Sequence, residues 1–284
     1  MTPSPGYQAI TRFAPSPTGY MHMGHAYAAL WAYKWAQLTS GQFLLRIDDI
    51  DRTRCRPEYE DAILEDLEWL GLHWDGPVLR QSERLDHYAE ALARLKELGV
   101  TYSCFCTRKE IAAEIAAAGN APHGPDGPLY PGTCRRLGPG FEELQGAAVR
   151  LDCARAARVV GPLRFRDWRL GDFDVDPCLF GDAVIARRDI GTSYHLACVI
   201  DDAFQGITMV TRGEDLLPST HLQRVLQALL GLPVPDYRHH KLVEDPEGRR
   251  LAKRNRGITI RDMREAGITR KKVLELAWDL AEGA

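Results

Sequence analysis

A chain of 284 residues is long enough for one large domain or a domain carrying an insertion, and a charged share of 26% beside an apolar share of 45% describes a water-soluble globular protein. No apolar run reaches membrane-spanning length and no basic segment followed by an apolar one opens the chain, so neither a spanning helix nor an export signal is expected. The net charge of −3 argues against a non-specific nucleic-acid binder, and seven cysteines, an odd number without a regular framework, suit a reducing cytoplasm.

The first predicted element is a strand over Tyr7–Ala14, followed by the loop Pro15-Ser16-Pro17-Thr18-Gly19 and a helix over Ala26–Leu38 that stops at Gly41. Two prolines and a glycine forbid a regular element between strand and helix. His22, Gly24 and His25 therefore stand at a helix entrance, where backbone N–H groups and the helix dipole favour an anion. Gly24 admits a flat ring against the backbone and the histidines can donate to phosphate oxygens, so a nucleoside triphosphate suits the site.

A second strand over Phe43–Ile47 completes a parallel crossover unit and ends in Asp48, at the strand edge where open α/β sheets collect ligands. A carboxylate there can hold an ammonium group. Glu58–Leu70 and Ser82–Leu98 read as helices closed by Gly71 and Gly99. In the strand-like stretch Val100–Cys106, Cys104 and Cys106 point the same way, Cys134 supplies a third sulfur, and Tyr130 or His123 can fill a fourth position around one metal ion. The alternative is a set of free buried thiols. Thr107 and Glu110 form a capping box for a short alanine-rich helix, and Cys55, Cys153, Cys178 and Cys198 read as small apolar fillers.

Strands are predicted over Val149–Cys153, Asp182–Ala186, Tyr194–Ile200 and Ile207–Thr211, then a helix over Pro218–Leu230. Arg212 ends the last strand and joins Arg12 and Asp48 at one sheet edge. Two arginines near an ammonium-binding carboxylate fit an amino acid with a second carboxylate. Between Arg238 and Lys272, twelve Lys/Arg face five Asp/Glu, a local patch fit for RNA. Within it, Arg250-Leu251-Ala252-Lys253-Arg254 reads as a mobile clamp on the triphosphate.

Arg12 to His25, Arg46 to Asp51, Gly71 to Asp75, Gln81 to Arg84, Tyr194 to Ala197, Val199 to Asp202 and Arg212 to Thr220 together resemble the catalytic half of class I aminoacyl-tRNA synthetases of the glutamyl type. The resemblance implies an α/β fold: a Rossmann-like, nucleotide-binding parallel sheet with an inserted acceptor and zinc subdomain and a short helical C-terminal tail. It divides the chain into 1–98, the first half of the catalytic domain, 99–190, the insertion, 191–240, the second half, and 241–284, the lysine loop and tail. Only 30 residues follow Arg254, so no anticodon-binding domain is expected. That shortness, with Cys104, Cys106, Tyr130 and Cys134, makes the chain similar to the truncated glutamyl-Q tRNA(Asp) synthetases, in which these four would hold a structural Zn²⁺.

The resemblance assigns glutamate to Arg12, Ser16, Asp48, Tyr194 and Arg212. It assigns ATP with Mg²⁺ to His22, Gly24, His25 and Lys253, with His22, His25 and Lys253 as the catalytic groups. The implied reaction forms glutamyl-adenylate and passes glutamate to queuosine in the anticodon of tRNA(Asp), in a cytoplasmic monomer without membrane contact. The other readings are a shortened glutamyl-tRNA synthetase charging an acceptor end and a non-catalytic tRNA-binding paralogue. Three departures stand out: Asp48 replaces the usual Glu, losing about 1.5 Å of reach; Arg250 and Ala252 replace a lysine and a serine of the lysine loop; and Cys198 stands where Asn is common in the full-length enzymes.

Overall fold

The computed structural model describes residues 6–118, 122–137, 146–242 and 258–282. The lysine loop with Arg250, Ala252 and Lys253 lies outside the described residues, and five of the twelve Lys/Arg of the basic patch lie there with it.

Twelve strands and nine helices are described: β1 Ile10–Phe13, α1 Met23–Leu38, β2 Gln42–Ile47, α2 Pro57–Leu70, β3 Leu79–Arg80, α3 Leu85–Glu97, β4 Thr101–Cys104, α4 Arg108–Ala118, β5 His123–Gly124, β6 Gly127–Pro128, β7 Ala148–Leu151, α5 Cys153–Val160, β8 Arg164–Asp167, β9 Gly171–Asp174, β10 Val184–Ala186, α6 Tyr194–Phe204, β11 Met209–Gly213, α7 Leu217–Leu230, β12 Asp236–His240, α8 Ile260–Glu265 and α9 Arg270–Glu282.

β1 and β2 run parallel, with Ile10 opposite Gln42 and Phe13 opposite Leu45, and β2 pairs in parallel with β3. β11 and β12 are also parallel, from Met209 opposite Asp236 to Gly213 opposite His240. The two strand groups meet where Thr208 N donates to Ile10 O at 3.0 Å and Arg12 Nη1 donates to Thr211 O at 3.2 Å. The chain thus leaves β1 toward β2 on one side while β12 lies beyond β11 on the other. In parallel sheets such a reversal opens a crevice at the carboxyl ends of the strands. β8 and β9, which fall within 99–190, form an antiparallel hairpin attached to β12 rather than to the insertion's own sheet of β10, β7 and β4.

α1 packs on the sheet through Ala26, Ala29, Ala32 and Ala36, all buried. Side chains this small let the helix approach closely enough for Thr11 Oγ1 to donate to Ala32 O at 2.9 Å. The same core takes Val273 and Ala277 of α9 and Ile63 and Leu67 of α2. Gly41 has a different reason from the predicted cap: α1 is closed by Thr39, and a Cβ on Gly41 would sit 2.0 Å from Ala9 O. Only a glycine lets the chain turn into β2 so near β1.

Tyr194–Ile200, predicted as a strand, is the first part of α6. The β-branched Val199 and Ile200 suggested an extended run. Ser193 Oγ caps the helix by accepting from Leu196 N at 3.4 Å, and the turn periodicity buries Leu196, Val199 and Asp202 along the inner face. Cys106 lies beyond the end of β4, and Cys153 opens α5 instead of ending a strand. Among the described residues, no helix is long and apolar enough to cross a membrane.

Candidate active site

A cavity of about 660 Å³ opens at the carboxyl ends of β1, β2, β11 and β12. Its walls include Arg12, Ser16, His22, Gly24, His25, Asp48, Tyr194 and Arg212. Every predicted glutamate and ATP residue other than Lys253 therefore borders one space.

At the helix end of this cavity, His22 caps α1. Its Nδ1 accepts from Gly24 N at 3.1 Å, His25 Nδ1 accepts from His22 N at 3.3 Å, and the two rings stack 3.9 Å apart. Two backbone N–H groups expected to face an anion are thus taken by the histidines themselves. A neutral ring that accepts at Nδ1 carries its proton on Nε2.

Beneath the opposite end lies a buried ion network. Arg12 reaches Asp202 through Nε at 2.9 Å and Nη2 at 3.3 Å, while Arg46 reaches Asp202 at 2.6 Å and Asp48 Oδ1 at 2.7 Å. Burial alone would weaken the Arg12 charge, but Asp202 outweighs it and holds the guanidinium protonated. Burial likewise opposes ionisation of Asp202, and the two arginines bring its carboxyl well below the usual range. Asp48 stays raised because burial exceeds the pull of Arg46. Its bond to Arg46 uses only Oδ1, which leaves Oδ2 for another cation. Cys198 is more than an apolar filler: its thiol lies 3.6 Å from Asp202 Oδ2 and 3.7 Å from Arg46 Nη2, and burial and Asp202 push it up to about 11.

Arg212 is held differently. Its guanidinium meets His239 Nε2 at 3.1 Å, Gln223 Oε1 at 2.8 Å, Thr220 Oγ1 at 2.7 Å and Tyr194 Oη at 3.4 Å. All four acceptors are neutral; Tyr194 is pushed up to about 12, chiefly by burial. Arg12 and Arg212 thus share a cavity, yet only Arg12 is matched by a carboxylate in contact. Sequence reading missed Asp202, Thr220, Gln223 and His239 as site residues. The Asp201-Asp202 pair in an apolar segment was the one available signal, since buried carboxylates need partners.

Around the end of β4, Cys104, Cys106 and Cys134 bring their sulfurs within 4.8 Å of one another. Tyr130 Oη lies 3.5 Å from Cys104 Sγ and 3.3 Å from Cys106 Sγ, whereas His123 sits in the β5–β6 hairpin. Burial would raise Cys134, but the Tyr130 hydroxyl and backbone N–H groups lower it to about 7. Three sulfurs and a phenol oxygen converging on one point is a donor set fit for a tetrahedral thiophilic ion.

The model of the class I tRNA synthetases (E and Q), catalytic domain, matches residues 8–278. A Rhodobacter capsulatus protein named glutamyl-Q tRNA(Asp) synthetase is 50% identical over 266 residues, covering 91% of this chain and 95% of the relative. A glutamate–tRNA ligase of Aquifex aeolicus is 40% identical across 90% of this chain but only 54% of its own length. Among solved structures, a glutamate tRNA ligase from Elizabethkingia meningosepticum superposes with a TM-score of 0.70 at 32% identity, over 88% of this chain and 52% of that one. With a match across nearly its whole length, the chain belongs to the ligase family of class I tRNA synthetases of the E and Q group.

Proposed function

We propose that this enzyme activates L-glutamate with ATP and transfers the glutamyl group to the queuosine base at the wobble position of tRNA(Asp). The observation that carries the first half is the cavity itself: an unmatched guanidinium, Arg212, and a carboxylate with a spare oxygen, Asp48, border the same space as a histidine-capped helix entrance. A zwitterion with an extra carboxylate and a nucleotide's phosphates complement those poles. The second half rests on the likeness to relatives named glutamyl-Q tRNA(Asp) synthetase, which this chain matches over most of their length.

In this reading Asp48 takes the α-ammonium, and Arg212 with Arg12, Tyr194 and Ser16 takes the carboxylates. An α-carboxylate oxygen attacks the α-phosphorus of ATP and pyrophosphate departs, leaving glutamyl-adenylate. His22 and His25 donate from Nε2 to phosphate oxygens, with Gly24 giving the nucleotide room and Lys253 and Mg²⁺ sharing the charge. Such transfers depend on position and electrostatics rather than on a protein nucleophile. A hydroxyl of the modified base then attacks the acyl carbon and AMP leaves. Glutamine would leave a buried arginine without its anion, a strong penalty, whereas aspartate lacks one methylene, a penalty of about 1–3 kcal/mol.

Cys104, Cys106, Cys134 and Tyr130 would hold one Zn²⁺, which ties β4 to the loop bearing Tyr130 and Cys134 and takes no part in the chemistry.

Glutamate-dependent exchange of labelled pyrophosphate into ATP tests activation; its absence would leave only a tRNA-binding paralogue. Glutamate transfer is then compared on queuosine-bearing and queuosine-free tRNA(Asp) from which the 3′-terminal adenosine has been removed. Labelling of the queuosine form alone is expected. Transfer abolished by removal of the terminal adenosine would instead indicate a shortened glutamyl-tRNA synthetase.

A further inference from the structure

We propose that Asp167 and His239 act as a positioning relay that holds Arg212 in place while keeping a carboxylate out of contact with it. This deepens the glutamate reading and rests on Arg212 being the anion receptor of that site.

The relay follows from donor and acceptor counting. Nε of an arginine can only donate, so His239 Nε2, 3.1 Å away, must accept. The imidazole proton then sits on Nδ1, which lies 2.7 Å from Asp167 Oδ2. Asp167 can only receive it: Oδ2 also accepts from His239 N at 2.8 Å, and Oδ1 accepts from Arg169 N and Leu170 N, both at 2.8 Å. The tautomer is dictated from both sides. Asp167 and His239 are fully buried, and the register that sets Tyr237 of β12 against Asp167 of β8 brings them together.

Arg12 offers the contrast within the same cavity. Asp202 grips it in a two-pronged pair and matches its charge in contact. Behind Arg212 the balancing charge is one imidazole ring away, and four of five N–H groups are spent on neutral acceptors. One N–H and most of the positive potential are left for a ligand. A direct carboxylate would make the site self-satisfied, and no partner at all would let the guanidinium swing.

The sharp test uses three variants in pyrophosphate exchange. His239→Leu removes both bonds, His239→Gln keeps an acceptor at the Nε2 position, and Asp167→Asn removes the charge that selects the tautomer. Expected for His239→Leu and Asp167→Asn is a rise of about tenfold or more in the KM for glutamate, with the KM for ATP changed less than about twofold. His239→Gln should recover most of the loss. Equal KM effects on both substrates, or a His239→Gln variant as impaired as His239→Leu, would mark a merely structural role and overturn the relay.

A readout independent of substrate is the ¹⁵N–¹H correlation pattern of the His239 ring in the intact protein. Protonation at Nδ1 with a bare Nε2 is required; a proton on Nε2 refutes the relay even where exchange is normal. Should the wild-type protein exchange with another amino acid instead of glutamate, the glutamate reading fails. The ring spectrum and that amino acid's KM then still decide the relay.

Discussion

Asp202→Asn is the most demanding test of how this site is built. Asp202 receives Arg12 at 2.9 and 3.3 Å and Arg46 at 2.6 Å, and Arg46 also holds Asp48 at 2.7 Å. With Asp48 ionised against Arg46, the four groups sum to zero charge, and none is more than 7% exposed. An amide at position 202 leaves the quartet at +1 where low exposure gives little solvent to screen the excess, and its NH₂ group faces a donor. Removing one partner of a buried ion pair costs about 3–5 kcal/mol. Urea unfolding followed by tryptophan fluorescence at neutral pH measures this as a fall in midpoint at unchanged slope. The same reasoning fixes the sign of a double-mutant cycle. Arg12→Gln alone leaves −1, whereas Arg12→Gln with Asp202→Asn returns to zero, so the pair should lose at least about 1 kcal/mol less than the sum of the singles. A loss below about 1 kcal/mol for Asp202→Asn, together with additive singles, would refute the view that these charges neutralise one another.

The burial of His239, helped by Arg212, lowers its pKa from the ordinary 6.5 to about 4. The unfolded chain therefore binds a proton that the native one refuses. Stability contributed by the neutral ring is present above pH ~6.5 and lost as pH falls toward ~4, by up to ~3 kcal/mol. Urea midpoints between pH 7.5 and 4.5 should show this, and His239→Gln should flatten the slope over that window; an identical slope in the variant would sink the assignment. Gly41→Ala sets a Cβ 2.0 Å from Ala9 O and should cost about 1–3 kcal/mol or more, while Gly19→Ala meets nothing within 4 Å and should stay within about 0.5 kcal/mol. Elemental analysis should find one zinc per chain, lost in Cys134→Ser with a lowered melting temperature and retained in Cys55→Ser; zinc that survives Cys134→Ser would exclude the cluster.

Much of this site was legible because short motifs carry their own geometry. Arg12 to His25 prescribes strand, loop and helix, and the two-residue strand period puts Arg46 and Asp48 on one side. What could not be read were partners distant in sequence. Asp202 meets Arg12 across 190 positions and Asp167 meets His239 across 72, and no local pattern announces either pair. The helix over Tyr194–Phe204 was hidden for another reason: its β-branched stretch favours extension, and tertiary burial of one face overrides that preference. The capping role of the histidines was also invisible, because imidazole seldom serves where serine, threonine or aspartate usually stands.

The fastening of α8 carries a consequence for the C-terminal segment. Ile260 N donates to Met21 O at 2.8 Å, His22 bridges to Thr259, and Thr259 itself caps α8 through Asp262. The backbone just ahead of the histidine pair is therefore stitched to residues more than 230 positions later. Any force that tugs on α8 or α9, from an RNA stem or a neighbouring protein, is transmitted by two peptide groups to the mouth of α1. Deleting α8 and α9 would remove these bonds from the stretch that leads into α1, so the tail props one wall of the cavity.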